Sequence, residues 1–154
     1  MLFPHDTTQA TKRLWLAEAA IAELRKRQPS ARLWVVNGRA ADDMPWYYAA
    51  SDVMIVTSMR EGGPSSLKEA LACGIPVVTV AVGDAEMFDG VSAGIRVAND
   101  DPNDLATALQ QVLRATVPDR KSLLPHGLTL PDSATALTRL YADVSRRPSE
   151  PESR

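Results

Sequence analysis

Two glutamates flank a Gly-Gly-Pro turn in the stretch EGGPSSLKE, which runs from Glu61 to Glu69 with seven residues between them. A carboxylate on a helix can accept two hydrogen bonds from a vicinal diol, as acidic residues do with nucleotide ribose in dinucleotide folds. Glu61 follows an apolar run typical of a strand, and Glu69 lies about 7.5 Å beyond Pro64 along the predicted helix. By spacing alone, a solvated charge beside Lys68 is the commoner explanation of Glu69.

The turn between the glutamates could hold an anion. Gly62 and Gly63 let the backbone approach a ligand closely and permit any φ that the turn requires. Pro64 suits the first position of a helix, with Ser65 and Ser66 in the opening turn. The free N–H groups of such a turn carry partial positive charge and can hold a phosphate. A tight strand-to-helix turn without any ligand is the alternative.

The elements that must position this stretch alternate between strands and helices. Short runs rich in Val and Ile predict buried strands at 1–3, 32–37, 52–58, 75–82 and 94–98. Amphipathic patterns and Pro or Gly punctuation predict helices at 10–28, from Pro45, at 64–73, at 101–114 and from Pro131 to about Arg146. This alternation predicts a single α/β domain over 1–146, a doubly wound, Rossmann-like parallel sheet, followed by a disordered tail at 147–154.

In open sheets of this class, ligands bind outside the carboxyl ends of the strands. The loops after the predicted strands are long and hold Gly or small polar residues, whereas the returns from helix to strand are brief. The elaborated loops therefore lie on one edge of the sheet, as expected for a ligand cleft.

Composition excludes several classes of protein. The 154 residues carry a net charge of −2, with 23% charged side chains of mixed sign, so we expect no nucleic-acid partner. One Cys and two His make a disulfide impossible within the chain and a metal site improbable, and we expect no metal and no cofactor. The sequence contains neither a signal peptide nor a run long enough to span a bilayer. We expect a cytoplasmic protein, or one that acts peripherally at a membrane.

The motif around the two glutamates, extended to EGGPSSLKEALACGIPVVTVAVGDAE, resembles the signature of family 4 glycosyltransferases. MPWYYAASDVMIVTS upstream, KRLWLAEAAIAELRKRQPSARLWVVNG before it and DPNDLATALQQVL downstream match further segments of that family in the same order. The resemblance covers roughly residues 1–115. It implies a retaining enzyme of the two-domain GT-B fold, of which this chain would be the carboxyl-terminal, donor-binding half.

The resemblance also implies roles for individual residues. Glu69 would bind the ribose hydroxyls of a nucleoside-diphosphate sugar, and Glu61 would be the catalytic residue that contacts the transferred sugar. Lys12 would neutralise the diphosphate leaving group, which gains negative charge in the transition state. A further set would contact the sugar and phosphates through backbone amides: Gly62, Gly63, Pro64 and Ser65.

Two departures from the family limit what we expect of the chain. The family pairs the lysine with an arginine after the first strand, whereas this place reads FPHD. The acceptor-binding half of the fold would precede residue 1, so we expect the chain to bind a nucleoside diphosphate but to transfer little or no sugar unless a separate acceptor domain or chain completes it. The alternatives are a non-catalytic interaction module with this fold and part of a nucleotide-sugar isomerase.

Overall fold

The computed structural model describes residues 1–63, 65–89, 94–115, 123 and 129–145. Within these ranges five strands form one sheet: β1 (Leu2–Phe3), β2 (Trp34–Val35), β3 (Met54–Val56), β4 (Val77–Val80) and β5 (Ile95–Ala98). Helices connect or follow them: α1 (Leu14–Arg25), α2 (Met44–Ala49), α3 (Ser65–Ala72), α4 (Pro102–Arg114) and α5 (Leu130–Ser145). Pro64 and the tail predicted at 147–154 lie outside the described residues.

All the strand pairs are parallel, and the strand order is β2-β1-β3-β4-β5. Leu2 of β1 pairs with Trp34 on one side and with Met54 on the other. The chain therefore builds outward from β1 to β2, crosses back to β3, and continues outward through β4 and β5. This order confirms the predicted doubly wound α/β fold. Its topological switch point, where the loops after two adjacent strands turn to opposite sides, lies between β1 and β3.

Apolar faces of the helices cover the sheet. α1 packs against α4, α4 also packs against β4 and β5, and α3 packs against β3 and β4. The buried side chains of these helices recur at spacings of three and four, as an amphipathic helix requires. They are Leu16, Ala17, Ala20, Ile21 and Leu24 in α1, Leu67, Ala70 and Leu71 in α3, and Leu105, Ala106, Ala108 and Leu109 in α4.

The helix predicted over residues 10–28 is divided in the structure. A 3-10 helix spans Ala10–Lys12, Arg13 has a left-handed backbone with φ of 51°, and α1 begins at Leu14. The interruption has a tertiary cause, because the buried Thr57 hydroxyl bonds to the carbonyl oxygens of Lys12 and Arg13 at 2.9 and 3.0 Å. The prediction of one continuous helix was therefore wrong at its first turn.

The prediction that every strand is covered on both faces was wrong for β2. Trp34 and Val35 are 45% and 37% exposed. β2 is an edge strand with a neighbour on one side, and the Trp34 ring instead contacts Tyr47 edge-on with ring centroids 5.1 Å apart. An apolar run at an edge has the same sequence as one in the centre, so only the strand order separates the two cases.

Candidate functional site

A cleft opens at the carboxyl edge of the sheet beside the switch point between β1 and β3. It has a volume of about 370 Å³, and we call it the switch-point cleft. The loops after β1, β2 and β3 and one side of α2 and α3 form its walls. Its lining residues are Pro4, His5, Asp6, Lys12, Val36, Asn37, Gly38, Arg39, Met44, Tyr48, Glu61, Ser65, Ser66 and Glu69. Lys12, Glu61, Ser65 and Glu69, which the sequence analysis singled out from separate elements, therefore line one cavity.

Lys12 and Glu61 form an ion pair across the cleft. Lys12 Nζ lies 2.5 Å from Glu61 Oε1, although the two residues are 49 positions apart in the chain. Their side chains are 19% and 17% exposed, so water screens the pair only partly. Burial is the largest single influence and acts to raise the pKa of Glu61, but the hydrogen bond and charge of Lys12, with smaller contributions from Ser58 and His5, together hold the pKa below its usual value. Glu61 is therefore ionised at neutral pH.

The loop that carries Lys12 is fastened to the end of β3. Besides the Thr57 hydroxyl, the Arg13 guanidinium donates to the Thr57 carbonyl oxygen at 2.6 Å and also pairs with Asp100. The backbone N–H of Met59 donates to the Thr11 carbonyl oxygen at 2.8 Å. These bonds join the loops on both sides of the switch point, and they set the position from which Lys12 reaches Glu61. The sequence analysis assigned Arg13 to a helix and so missed this role.

Glu69 projects from the exposed side of α3, while Leu67, Ala70 and Leu71 face the sheet, as predicted. The Tyr48 hydroxyl donates to Glu69 Oε2 at 2.9 Å, and this contact orients the carboxylate in the cleft. Burial, and after it the hydrogen bond to Glu69, raise the pKa of Tyr48 well above its ordinary value, so the phenol remains a donor. From sequence, Tyr48 is one of three consecutive aromatic residues that could stack on a base but more commonly pack between helix and sheet, and its contact with Glu69 was not predicted.

The turn after β3 differs from its prediction in one respect. Among the described glycines, positive φ angles occur at Gly38, Gly74 and Gly83 but not at Gly62 or Gly63. A Cβ on Gly62 would meet no atom within 4 Å, and one on Gly63 would lie 3.3 Å from Lys68 Nζ. The φ angles of this turn therefore do not require glycine, and the conformational freedom that the two glycines permit is not used. The missing side chain at Gly62 leaves open space, whereas a Cβ on Gly63 would also lie 3.5 Å from Asp84 Oδ2.

His5 is a lining residue that the sequence analysis missed. Its side chain follows β1, packs edge-on against Phe3 with ring centroids 5.1 Å apart, and is 8% exposed. Its Nε2 atom is buried and has no hydrogen-bond partner in the part of the chain that the structure describes. Burial and, after it, the nearby Lys12 charge lower the pKa of His5 from 6.5 to about 4, so the ring is neutral at pH 7. In the sequence, the FPHD segment was considered only because it lacks the arginine that the family has at this place, and not because it contains His5.

A second, larger cavity of about 610 Å³ lies between the ends of β4 and β5 and helix α4, and it shares no lining residue with the switch-point cleft. Its charged side chains are of both signs: Arg13, Glu86, Asp89, Arg96, Asp100 and Asp104. We take the smaller cleft as the candidate site because Lys12, Glu61 and Glu69 converge there. A strand-end position at the switch point is also where open α/β sheets bind ligands.

The described residues include no group of three or more His, Cys, Asp or Glu side chains placed to hold a metal ion, and the expectation of a metal-free site stays a prediction. The helices that the structure describes are too short or too polar to cross a membrane.

The sequence matches known proteins over its central part. The profile of the family glycosyl transferases group 1 matches residues 20–115. A D-inositol 3-phosphate glycosyltransferase from Geodermatophilus obscurus is 42% identical over 83 residues, which are 53% of this chain and 17% of that protein. One from Corynebacterium jeikeium is 30% identical over 112 residues, which are 69% of this chain and 27% of that protein. The chain thus spans about a quarter or less of the curated relatives that it matches.

Solved structures share the fold at low sequence identity. A mutant of TarM from S. aureus, in complex with fondaparinux, alpha-GlcNAc-glycerol and UDP, superposes with a TM-score of 0.71 at 16% identity over 95% of this chain and 34% of that chain. The catalytic domain of starch synthase IV from Arabidopsis thaliana, bound to ADP and acarbose, gives a TM-score of 0.66 at 16% identity over 95% of this chain and 38% of that chain.

These likenesses show the fold, a Rossmann-like unit of GT-B glycosyltransferases. The profile match covers more than half of the 154 residues and includes both glutamates of the EGGPSSLKE stretch. It confirms the resemblance that the glutamate motif predicted. The chain therefore belongs to the glycosyl transferases group 1 family.

Proposed function

We propose that this chain is the nucleotide-sugar-binding domain of a retaining glycosyltransferase and that the switch-point cleft holds the nucleoside-diphosphate sugar. The observation that carries the proposal is the convergence of Lys12, Glu61 and Glu69 on one cavity at the carboxyl edge of the sheet. Each supplies a group that such a ligand needs: a cation for the diphosphate, and carboxylates for the hydroxyls of ribose and sugar. UDP and ADP in the two structural neighbours agree with this class of ligand.

In this proposal Glu69 accepts hydrogen bonds from the two ribose hydroxyls, and the Tyr48 hydroxyl holds its carboxylate in place. A carboxylate that a neutral donor fixes on one side keeps lone pairs free for a diol on the other. α3 begins at Ser65, so the free amides of its first turn lie next to the turn at Gly62 and Gly63 and would hold phosphate oxygens. The contact expected of Pro64 falls outside the described residues.

Glycosyl transfer needs stabilisation of the departing nucleoside diphosphate, which gains negative charge as its bond to the sugar breaks. Lys12 is the cation that we assign to this task, and no metal ion forms part of the proposal. Glu61 lies beside Lys12 and would face the transferred sugar, where it would act at the reacting centre. Transfer to an acceptor would also need a second domain or chain that closes the open side of the cleft and excludes water.

Calorimetry with UDP, GDP and ADP tests the proposal. We expect weak binding of at least one of them, and Glu69→Ala should weaken it about tenfold or more, because a hydrogen bond to a charged group contributes about 1.5–3 kcal/mol. Glu69→Gln keeps an acceptor for Tyr48 and separates loss of ribose contact from loss of packing. Glu18→Ala, on the exposed face of α1, is the matched control and should leave the affinity unchanged.

The proposal fails if a folded sample gives no heat with any of the three nucleotides at millimolar concentration. An affinity that Glu69→Ala leaves unchanged would remove Glu69 from the site. Binding that Glu18→Ala and Glu69→Ala weaken equally would place the effect in the stability of the fold rather than in the cleft.

A further inference from the structure

The ring of His5, a lining residue of the switch-point cleft, carries an unsatisfied polar atom. The side chain is 8% exposed, and Nε2 is buried without a hydrogen-bond partner among the described residues. Such an atom in an apolar setting lowers stability, so buried polar atoms without a partner are rare in folded proteins. Asp84 Oδ1 also lacks a partner among the described residues, but the other oxygen of that carboxylate binds Lys68 Nζ at 2.7 Å. Nε2 of His5 has no such compensation among the described residues, and His5 lines a cavity.

The orientation of His5 is set by rigid neighbours. The residue directly follows β1, and its ring packs edge-on against the fully buried ring of Phe3. Its chain neighbour Asp6 is committed to the loop, because the carboxylate accepts from the Thr8 N–H at 2.9 Å, the Thr8 hydroxyl at 2.7 Å and Gln9 Nε2 at 3.2 Å. The strand end and the loop therefore hold the imidazole at the cleft wall before any ligand arrives.

The charged groups that line the cleft are of both signs. Lys12 and Glu61 act electrostatically on the His5 ring, and the other ionisable lining side chains are Asp6, Arg39, Tyr48 and Glu69. Glu61 already neutralises Lys12 through their ion pair. An anion that displaces Glu61 from Lys12 would find a second donor in His5, in the loop where an arginine is missing.

We propose that His5 is the second anion-binding side chain of the switch-point cleft, donating from Nε2 to an oxygen of the bound diphosphate beside Lys12, and that the ring takes up a proton as the ligand binds. This inference rests on the proposed function and deepens it. A neutral ring can carry its hydrogen on Nε2 and donate without being charged. A diphosphate next to the ring then stabilises the protonated form, since an opposite charge within a few ångströms favours ionisation.

The proton linkage separates this role from simple packing. Without ligand, the ring remains neutral down to about pH 4. After burial, the Lys12 charge is the second cause of the lowered pKa of His5, and a bound diphosphate opposes it, so the ligand raises the pKa of the ring. At pH 5.5 part of a proton per bound ligand should therefore enter the protein.

The experiment uses the full chain and UDP-glucose, GDP-glucose and ADP-glucose, whose diphosphates have no proton to gain between pH 5 and 8. Calorimetry at pH 5.5 and pH 7.5, in buffers of different ionisation enthalpy, gives the number of protons taken up. We expect uptake at pH 5.5 and none at pH 7.5. His5→Leu should weaken binding about tenfold at pH 7.5, the scale of one hydrogen bond to a charged group.

His5→Gln places an amide nitrogen near the position of Nε2 but cannot titrate. It should bind within about threefold of the unaltered chain at pH 7.5, because the hydrogen bond is retained, yet show no proton uptake at pH 5.5. His126→Gln removes the other histidine of the chain and should leave the uptake intact. Thermal melting of each variant establishes that it is folded.

Two results overturn the inference and leave the proposed function standing: nucleotide-sugar binding without proton uptake at pH 5.5, or equal affinities for the unaltered chain and His5→Leu. A titration with inorganic pyrophosphate, monitored by NMR of the His5 ring, identifies the case in which the anion site is correct but the proposed function is not. If pyrophosphate raises the titration midpoint of His5 but the nucleotide sugars bind no better than pyrophosphate, the anion site stands and the proposed function fails. No response to either kind of probe overturns both.

Discussion

In the switch-point cleft, Lys12 and Glu61 satisfy one another at 2.5 Å before any ligand is present. Under the proposed function, the same lysine must hold a diphosphate and the same glutamate must face a sugar. Glu61 thus occupies, with its own negative charge, the place beside Lys12 that a phosphate oxygen would take. Ligand binding would replace the Glu61 carboxylate beside Lys12 with a phosphate group. The free energy needed to separate the Lys12–Glu61 ion pair would therefore reduce the free energy gained from the phosphate contacts.

Glu61→Gln should therefore tighten the binding of a nucleoside diphosphate that carries no sugar. Removing the competing charge frees Lys12 and removes repulsion of the phosphates, and a partly exposed pair contributes about 0.5–1 kcal/mol, or roughly two- to fivefold in affinity. Calorimetry with UDP, GDP and ADP measures the change.

The corresponding nucleotide sugars should gain less from Glu61→Gln, because the proposed sugar contact is weakened at the same time. Glu18→Gln on α1 is the control for a general effect of charge. Weaker binding of the free nucleoside diphosphate to Glu61→Gln would contradict the exchange of anions.

At the scale of elements, the loop between β1 and α1 obtains its shape from β3. The Thr57 hydroxyl bonds to the carbonyl oxygens of Lys12 and Arg13, and Arg13 in turn bonds to the Thr57 carbonyl oxygen. These contacts support a left-handed backbone at Arg13, which is strained for a residue with a side chain. The side chain of Thr57 is fully buried, so no water replaces its hydroxyl when it is removed.

Thr57→Val should lower the free energy of unfolding by about 1–2 kcal/mol, because it leaves two partly buried carbonyl oxygens without one of their donors. It should also weaken nucleoside-diphosphate binding several-fold, because Lys12 loses its support. Urea unfolding and calorimetry give the two values, and Thr57→Ser, which keeps the hydroxyl, should preserve the affinity.

A second variant separates stability from positioning. Asp101 caps α4 by accepting from the N–H groups of Asn103 and Asp104 at 2.8 and 3.2 Å, and it is not part of the cleft. Asp101→Ala should lower the free energy of unfolding by about 1 kcal/mol without changing the affinity. If Thr57→Val lowers the free energy of unfolding but, like Asp101→Ala, does not change the affinity for the nucleoside diphosphate, then the contacts of Thr57 with the loop between β1 and α1 do not position Lys12.

At the scale of the whole molecule, the buried His5 links folding to pH. Its pKa is about 4 in the folded chain against an ordinary 6.5, so between these values the unfolded chain binds a proton that the folded chain does not. The contribution of the neutral His5 ring to the free energy of unfolding is fully present above pH 6.5 and is lost as the pH falls toward 4. A shift of this size corresponds to about 3 kcal/mol. Glu61, whose folded pKa is also lowered, adds a loss at still lower pH.

Urea unfolding of the ligand-free chain at pH 7.5, 5.5 and 4.5 should therefore show a steep fall in the free energy of unfolding. His5→Gln should flatten this dependence between pH 6.5 and 4, whatever its effect on stability at neutral pH, and His126→Gln should not. A slope that survives His5→Gln would assign the acid sensitivity to other groups.

The sequence by itself determined the fold class and most of the element positions. Alternating apolar runs and amphipathic patterns report burial directly, and Pro45 and the Asp-Pro start of α4 mark helix ends through local backbone chemistry. The order of motifs around Glu61 and Glu69 also indicated the family, which the profile match confirms. The roles predicted for Lys12, Glu61 and Glu69 remain predictions, although the structure brings all three to one cavity.

Only the tertiary structure decided which side chains meet. Tyr48 reaches Glu69 across 21 residues and Lys12 reaches Glu61 across 49, and no local pattern encodes such distances. The exposed edge strand at Trp34 and the broken first turn at Arg13 depend on the strand order and on Thr57. Neither spacing nor residue type predicted a role for His5, because the lack of a hydrogen-bond partner for Nε2 among the described residues depends on which atoms surround the ring in the folded chain. The burial of a side chain and its bonding partners depend on residues that are distant in the chain, so both are determined only when the sheet has assembled.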